Sequence, residues 1–225
     1  MTLAKTHSPT TTPPPVNTWV RTTWLEFATI TDNPIYEKAI CYYYNQQMRI
    51  EAMGVGPDHA IDNTLLMLAI GLFCMVKGIQ VRGLINASYR KTGCQEAQPD
   101  VSYYVNDKAL LVPQGNEIVD LDTYPTPDLV IEVAATSLND DLGVKRLLYE
   151  ELGVREYWVI DVETSRILAF QILELGSQRI TTSNVLPGLA IATLEAALQS
   201  RRTQDDSQIM ATLMNQFSVS QASDC

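Results

Sequence analysis

Apolar and polar positions alternate unevenly along the chain, and the strongly patterned segments predict its elements. Residues 36–53, YEKAICYYYNQQMRIEAM, mix aromatic and polar side chains in a way that suits a short hairpin turning at residues 45–47. GVGPDHA follows as a loop. The apolar run LLMLAIGLFCMV, residues 65–76, lies within a segment from about His59 to Gly78 that reads as a helix, with Gly78 placed to stop it. Residues 79–90 read as a strand and KTGCQEAQP as a turn region. DVSYYV, residues 100–105, is rich in β-formers and reads as the next strand. Residues 106–127 are a long polar excursion carrying Pro113, Pro125 and Pro127.

PDLVIEVA then supplies a further strand. The helix after it has Ser137 and Asp140 at capping-box spacing and Gly153 just past its apolar pattern. EYWVIDV and RILAFQIL read as two strands around an ETS turn. From about Leu194 a short amphipathic helix leads into a polar tail. The central order is α–β–β–β–α–β, which predicts a mixed α/β layer with hairpin-linked strands ahead of a crossover helix. The expected organisation is a flexible Thr/Pro-rich lead over 1–17, one domain over 18–195, and a C-terminal helix and tail over 196–225.

One strand breaks its own pattern. On a strand, side chains at i, i+2 and i+4 share a face. Asp128, Val130, Glu132 and Ala134 therefore line one side, and Leu129, Ile131 and Val133 the other. A carboxylate inside such a run costs several kcal/mol to bury unless something compensates it. Glu132 is then either an edge-strand charge that reaches water or a ligand for a hard cation such as Mg²⁺. Asp100 opens the preceding strand and could meet Glu132 at one end of the sheet. Asp128 stands roughly 13 Å along from Glu132 at ~3.3 Å per residue, too far to share one ion, and suits a cap or turn. On the helix, Lys145 interrupts a stripe formed with Leu142, Tyr149 and Leu152. It is either a snorkelling lysine or a cation set close to the carboxylates.

Composition narrows the setting. The length of 225 residues and 46% apolar content suit one ordinary domain with extensions. A formal charge of −10 disfavours strong nonspecific binding of nucleic acid, unless a local basic patch overrides it. Arg82, Arg90 and Lys91 are candidates for such a patch, with Lys145, Arg146 and Arg155 for a second. Cys41, Cys74, Cys94 and Cys225 show no metal-ligand spacing, and the size and apolar content do not call for disulfides, so a reduced cytosol is expected. The lead lacks the apolar run of a secretory signal. Residues 65–76 are too few to span a bilayer, which takes about 20, so no membrane association is expected.

The stretches YYYNQQMRIEAMGVGPDHAIDN, QPDVSYYV, PDLVIEVAATSLNDDLGVKRLLYEELGVREYWVID and VLPGL together resemble the Uma-two family. That group is abundant in cyanobacteria and is a branch of the PD-(D/E)xK nuclease superfamily of restriction endonucleases. The resemblance spans roughly residues 24–194 and implies a restriction-endonuclease-like core. It further implies a strand aspartate and a glutamate on the next strand that bind a divalent ion and cleave DNA phosphodiesters. The matching positions are Asp100 and Glu132, with the main-chain carbonyl of Val133 as third ligand and Mg²⁺, or Mn²⁺, as the ion. Where the parent pattern has a lysine two residues after the glutamate, this chain has Ala134, and the matching lysine on the following helix is Lys145. Glu51 is the candidate for an acid near the first helix, and His59 stands at its motif position. Tyr149, Gly153, Tyr157 and Trp158 are implied as structural. The implied partner is DNA, cut by a homodimer to leave 3′-hydroxyl and 5′-phosphate ends. A binding or scaffolding module that keeps the fold without catalysis is the competing expectation.

Overall fold

In the computed structural model, residues 13–51, 54 and 56–219 are described. The two ends of the expected lead and tail, 1–12 and 220–225, lie outside them. Among the described residues there are two six-stranded sheets and six α-helices. The first part runs β1 (Val20–Arg21), α1 (Trp24–Thr31), β2 (Ile40–Tyr44) and β3 (Gln47–Glu51). The β2–β3 hairpin turns at Asn45 and Gln46, whose φ values of 47° and 56° are both left-handed, the geometry that matches strand twist. α2 (Pro57–Lys77) starts with a proline at its first position and stops at Gly78, whose φ of 66° leaves its N–H free to reach Cys74 and Met75 carbonyls.

The segment expected as one strand over 79–90 is two. β4 (Val81–Ile85) ends at Asn86, which adopts φ 52°, and β5 (Tyr89–Lys91) goes on in the other sheet. The expected turn region contains β6 (Gln95–Ala97), paired with β5. β7 (Val101–Val105) follows, then a 3-10 helix over Asn106–Leu110 and β8 (Val119–Asp120) within the polar excursion. β9 (Leu129–Ala134) precedes two short helices, α3 (Leu138–Leu142) and α4 (Val144–Leu152), where one was expected. Gly143 divides them at φ −102° and ψ −107°. Ser137 does stand at the helix start, but its hydroxyl donates to Asp141 Oδ2 at 2.6 Å instead of closing a capping box with Asp140. β10 (Glu156–Asp161), β11 (Arg166–Leu173) and β12 (Gly176–Arg179) complete the strands. α5 (Ile191–Ser200) and α6 (Asp206–Val219) end the described chain, so most of the expected polar tail is a second helix. At the other end, Asn17 N–H donates to the Ile50 carbonyl at 2.8 Å.

The large sheet has the order β12-β11-β10-β9-β7-β4, parallel only between β9 and β10, which α3 and α4 connect. The small sheet runs β1-β3-β2-β6-β5-β8. As the alternation predicts, the two faces of β9 enter different cores. Leu129, Ile131 and Val133 pack with α2, α5 and α6, including Phe73 edge-on to Phe217 at 5.1 Å. Val130 and Ala134 pack with Tyr42 and Tyr44 of the small sheet and with Leu148 and Tyr149 of α4. By length and composition α2 could cross a bilayer, being 21 residues and not the twelve of its apolar run. Its buried apolar residues are part of the first of these cores. The helix–sheet–(helix and small sheet) sandwich places the polar face of β9 where two sheets and α4 converge.

Candidate active site

Central position, not an edge, accounts for Glu132. β9 lies between β7 and β10, and the Glu132 side chain is 3% exposed, so it does not reach water as an edge charge would. Its Oε1 accepts hydrogen bonds from Tyr149 at 2.8 Å and Tyr42 at 3.2 Å, while Oε2 lies 3.8 Å from Lys145 Nζ. Burial raises its pKa well above the ordinary 4.5. Lys145 opposes that rise, and the charges of Asp100, Asp141 and Glu51 add to it.

Asp100 stands at the mouth of β7. Val101 pairs with Ile131, so one step further Asp100 is level with Glu132, and directly opposed residues on antiparallel strands have Cβ atoms about 4.5–5.5 Å apart on one face. Asp100 Oδ2 accepts from the Val133 N–H at 2.7 Å. A strand residue points its N–H and C=O to the same neighbour. The Val133 carbonyl therefore faces the same edge, past the end of β7, while the Ala134 carbonyl faces β10 and accepts from Val162. His59, at the start of α2, sets Nε2 3.3 Å from Asp100 Oδ1 and leaves a buried Nδ1 with no hydrogen-bond partner among the described residues. Burial lowers the His59 pKa, but the bond and charge of Asp100, with Asp62 and Asp141, outweigh it and hold it above the usual value.

Lys145 is 1% exposed and does not snorkel. Its ammonium sits 2.9 Å from Asp141 Oδ1, 3.0 Å from Glu51 Oε1 and 4.2 Å from the centre of the Tyr42 ring. Burial pulls its pKa down, but Glu132, Asp141 and Glu51 push it further up, so it remains an ammonium. Glu51 Oε1 also takes Arg49 Nε at 2.7 Å, and Arg49 Nη1 reaches Asp140 Oδ2 at 3.1 Å and the Asn17 carbonyl at 2.7 Å. A cavity of about 510 Å³ collects Glu51, His59, Asp100, Glu132, Val133 and Lys145, together with Tyr42, Arg49 and Asp140.

The structure does not bring Asp128 to this place. It lies at the other end of β9, 2% exposed, accepting from the Val105 N–H at 2.9 Å and pairing with Lys108 at 3.1 Å and Arg155 at 3.5 Å. Of the basic candidates Lys145 lines this cavity, and the others do not. Arg82 is on β4 of the large sheet, whereas Arg90 and Lys91 are on β5 of the small one. Arg90 is engaged by Glu96 and the Trp24 ring. Arg146 lies 3.8 Å from Glu150 and stacks over Phe170. Sequence reasoning missed Asp141, Arg49 and Tyr42. The acid four residues before Lys145 on a helical segment was the available signal for Asp141; Tyr42 is hidden in an aromatic strand.

Among the described residues, no group of three or more His, Cys, Asp or Glu side chains is arranged to hold an ion unaided. What converges is two carboxylates and a main-chain carbonyl. That all-oxygen set fits a hard divalent ion that keeps several waters, as Mg²⁺ does.

The fold and this cavity define a restriction-endonuclease-like α/β protein, with the αβββαβ core order that the sequence pattern predicts. The chain belongs to the Uma2 family, "Putative restriction endonuclease", whose profile matches residues 28–205. Among solved structures it is similar to a putative nuclease belonging to DUF820 from Anabaena variabilis ATCC 29413. The two are 15% identical with a TM-score of 0.55, over 78% of this chain and 98% of that one, a likeness of fold. No curated protein matches the chain.

Proposed function

We propose that this chain is a divalent-metal-dependent endodeoxyribonuclease, with Mg²⁺ as its ion and Mn²⁺ as a substitute. The observation that carries the reading is the meeting of Asp100, Glu132, the Val133 carbonyl edge and Lys145 at one cavity. Asp100, Glu132 and the Val133 carbonyl would hold the ion. When bound, the ion supplies positive charge against the scissile phosphate and makes a nearby water more acidic. Lys145 stays cationic and opposes the negative charge that develops on the phosphate. Glu51 and Asp141 fix the ammonium, and Arg49 fixes Glu51. The carboxylates of the cavity outnumber its permanent cations, which favours a divalent cation as first occupant and a DNA phosphate only after it. Two chains acting as a pair in the cytosol would cut both strands.

One observation favours a second reading, a nuclease fold kept for binding or scaffolding. Lys145 is held by carboxylates on several sides, and Ala134 stands where a strand lysine would face the substrate. Nicking of supercoiled plasmid with Mg²⁺ or Mn²⁺ separates the two. The wild type is expected to nick, and Glu132→Ala and Lys145→Ala to fall to background. Equal nicking by all three proteins points to a contaminant and ends the nuclease reading. No nicking by a wild type that still binds Mn²⁺ favours the second.

A further inference from the structure

Glu132 presents its two oxygens to different surroundings. Oε1 accepts the Tyr149 hydroxyl at 2.8 Å and shares the single Tyr42 hydroxyl proton, at 3.2 Å, with the Gln98 carbonyl, whereas among the described residues Oε2 has only the Lys145 ammonium, at 3.8 Å. The two tyrosines come from unrelated elements. Tyr149 is on α4 and stacks on Tyr157 with centroids 4.9 Å apart, whereas Tyr42 is on β2 of the small sheet. Both are essentially inaccessible, at 0% and 1% exposed, so neither is free to rotate away. Tyr42 does a second thing. Its hydroxyl also lies 2.9 Å from the Gln98 carbonyl, and its ring face carries the Lys145 ammonium at 4.2 Å. One side chain thus touches both the carboxyl group of Glu132 and the ammonium of Lys145, and is itself anchored two residues ahead of Asp100.

A carboxylate free at both oxygens can chelate an ion with two bonds or swing between rotamers. A carboxylate with one oxygen held by a buried hydroxyl, and by a share of a second, presents the other. We infer that Tyr149 and Tyr42 are positioning residues that make Glu132 a one-oxygen ligand, with Oε1 locked and Oε2 turned over to a divalent cation. The inference rests on the metal site proposed above and adds how that site is oriented. Partners that orient a metal ligand without touching the metal are worth about 10–100-fold in affinity when removed. The Phe variants keep the rings, the packing and the Lys145 contact, and delete only the hydroxyls.

Calorimetric titration of the full chain with Mn²⁺ tests this. Tyr149→Phe is expected to weaken Mn²⁺ binding by about ten-fold or more, and Tyr42→Phe by less, since its hydroxyl is shared with Gln98. Tyr157→Phe serves as the comparison, because its hydroxyl bonds the Asp141 carbonyl at 2.9 Å and not Glu132. It should lower the melting temperature and leave the Mn²⁺ affinity alone. A merely structural role predicts the same pattern for all three variants: lower melting temperature in chelator, unchanged affinity. That result, with a wild type that binds, overturns the inference and leaves the metal site standing. A wild type that binds no Mn²⁺ overturns both.

Discussion

Burial raises the Glu132 carboxyl above its ordinary 4.5, so the folded chain keeps a proton there over a range in which the unfolded chain has lost it. Stability in the absence of metal therefore falls as pH rises upward from about that value. Glu132→Gln is neutral throughout and keeps the shape, and Lys145 retains Asp141 and Glu51 as partners. In chelator the variant should melt above the wild type at neutral pH, with the gap closing toward pH 4.5. A gain of ~1 kcal/mol would show as about 2–4 °C in a chain of this size. A variant that melts below the wild type at pH 7 would mean that the Lys145 pair outweighs the desolvation of the acid. At this scale much of the site was legible: Glu132 and Lys145 each violate an apolar pattern, and a violation is visible in sequence. Arg49, Asp141 and Tyr42 are not violations. An arginine on a hairpin, an aspartate in the first turn of a helix and a tyrosine in a strand all look ordinary until their partners are placed beside them.

Helices and strands with long uninterrupted patterns were read correctly, among them α2, β7, β9, β10 and β11. The failures sit at single residues that redirect the backbone. Asn86 splits 79–90 by taking φ 52°, a state a sequence allows but does not require. Gly143 splits the crossover helix, and the junction has no room for a side chain: a Cβ there would come 2.8 Å from the Asn139 carbonyl oxygen. Gly143→Ala should thus force the junction of α3 and α4 to shift, with a loss of about 1–3 kcal/mol in denaturant unfolding. The junction sits between Asp141 and Lys145, so the same variant should also weaken Mn²⁺ binding. Unchanged stability would mean that the two helices can move apart freely. α6 was missed for a different reason. Its buried residues Ile209, Leu213 and Phe217 recur every four positions as a narrow stripe, and the polar residues around them dominate the composition.

Across the whole molecule, the net charge of −10 and the paired state of Arg90, Arg146 and Arg155 leave little to attract a duplex by itself. Binding of a short DNA duplex, followed by gel shift at physiological salt, should be absent in chelator and appear with Ca²⁺ or Mg²⁺, since the ion would bridge carboxylates and phosphate. Tight binding in chelator would instead locate the DNA on a basic face away from the cavity. The double-sheet plan is the part of the molecule that a linear pattern conveys least. Which strand joins which sheet depends on pairings between residues dozens of positions apart, such as Tyr43 with Glu96.

Glu132 lies on a strand of the large sheet and Asp100 just ahead of one, but Tyr42, Arg49 and Glu51 arrive on β2 and β3 of the small sheet. The pocket is consequently a seam, not a property of either layer. During refolding, an intermediate with only the large sheet assembled would carry both acidic side chains and yet lack the walls that orient them. If the proposed metal site is real, ion capture would then be among the last events to appear, a built-in signal that the two halves have docked.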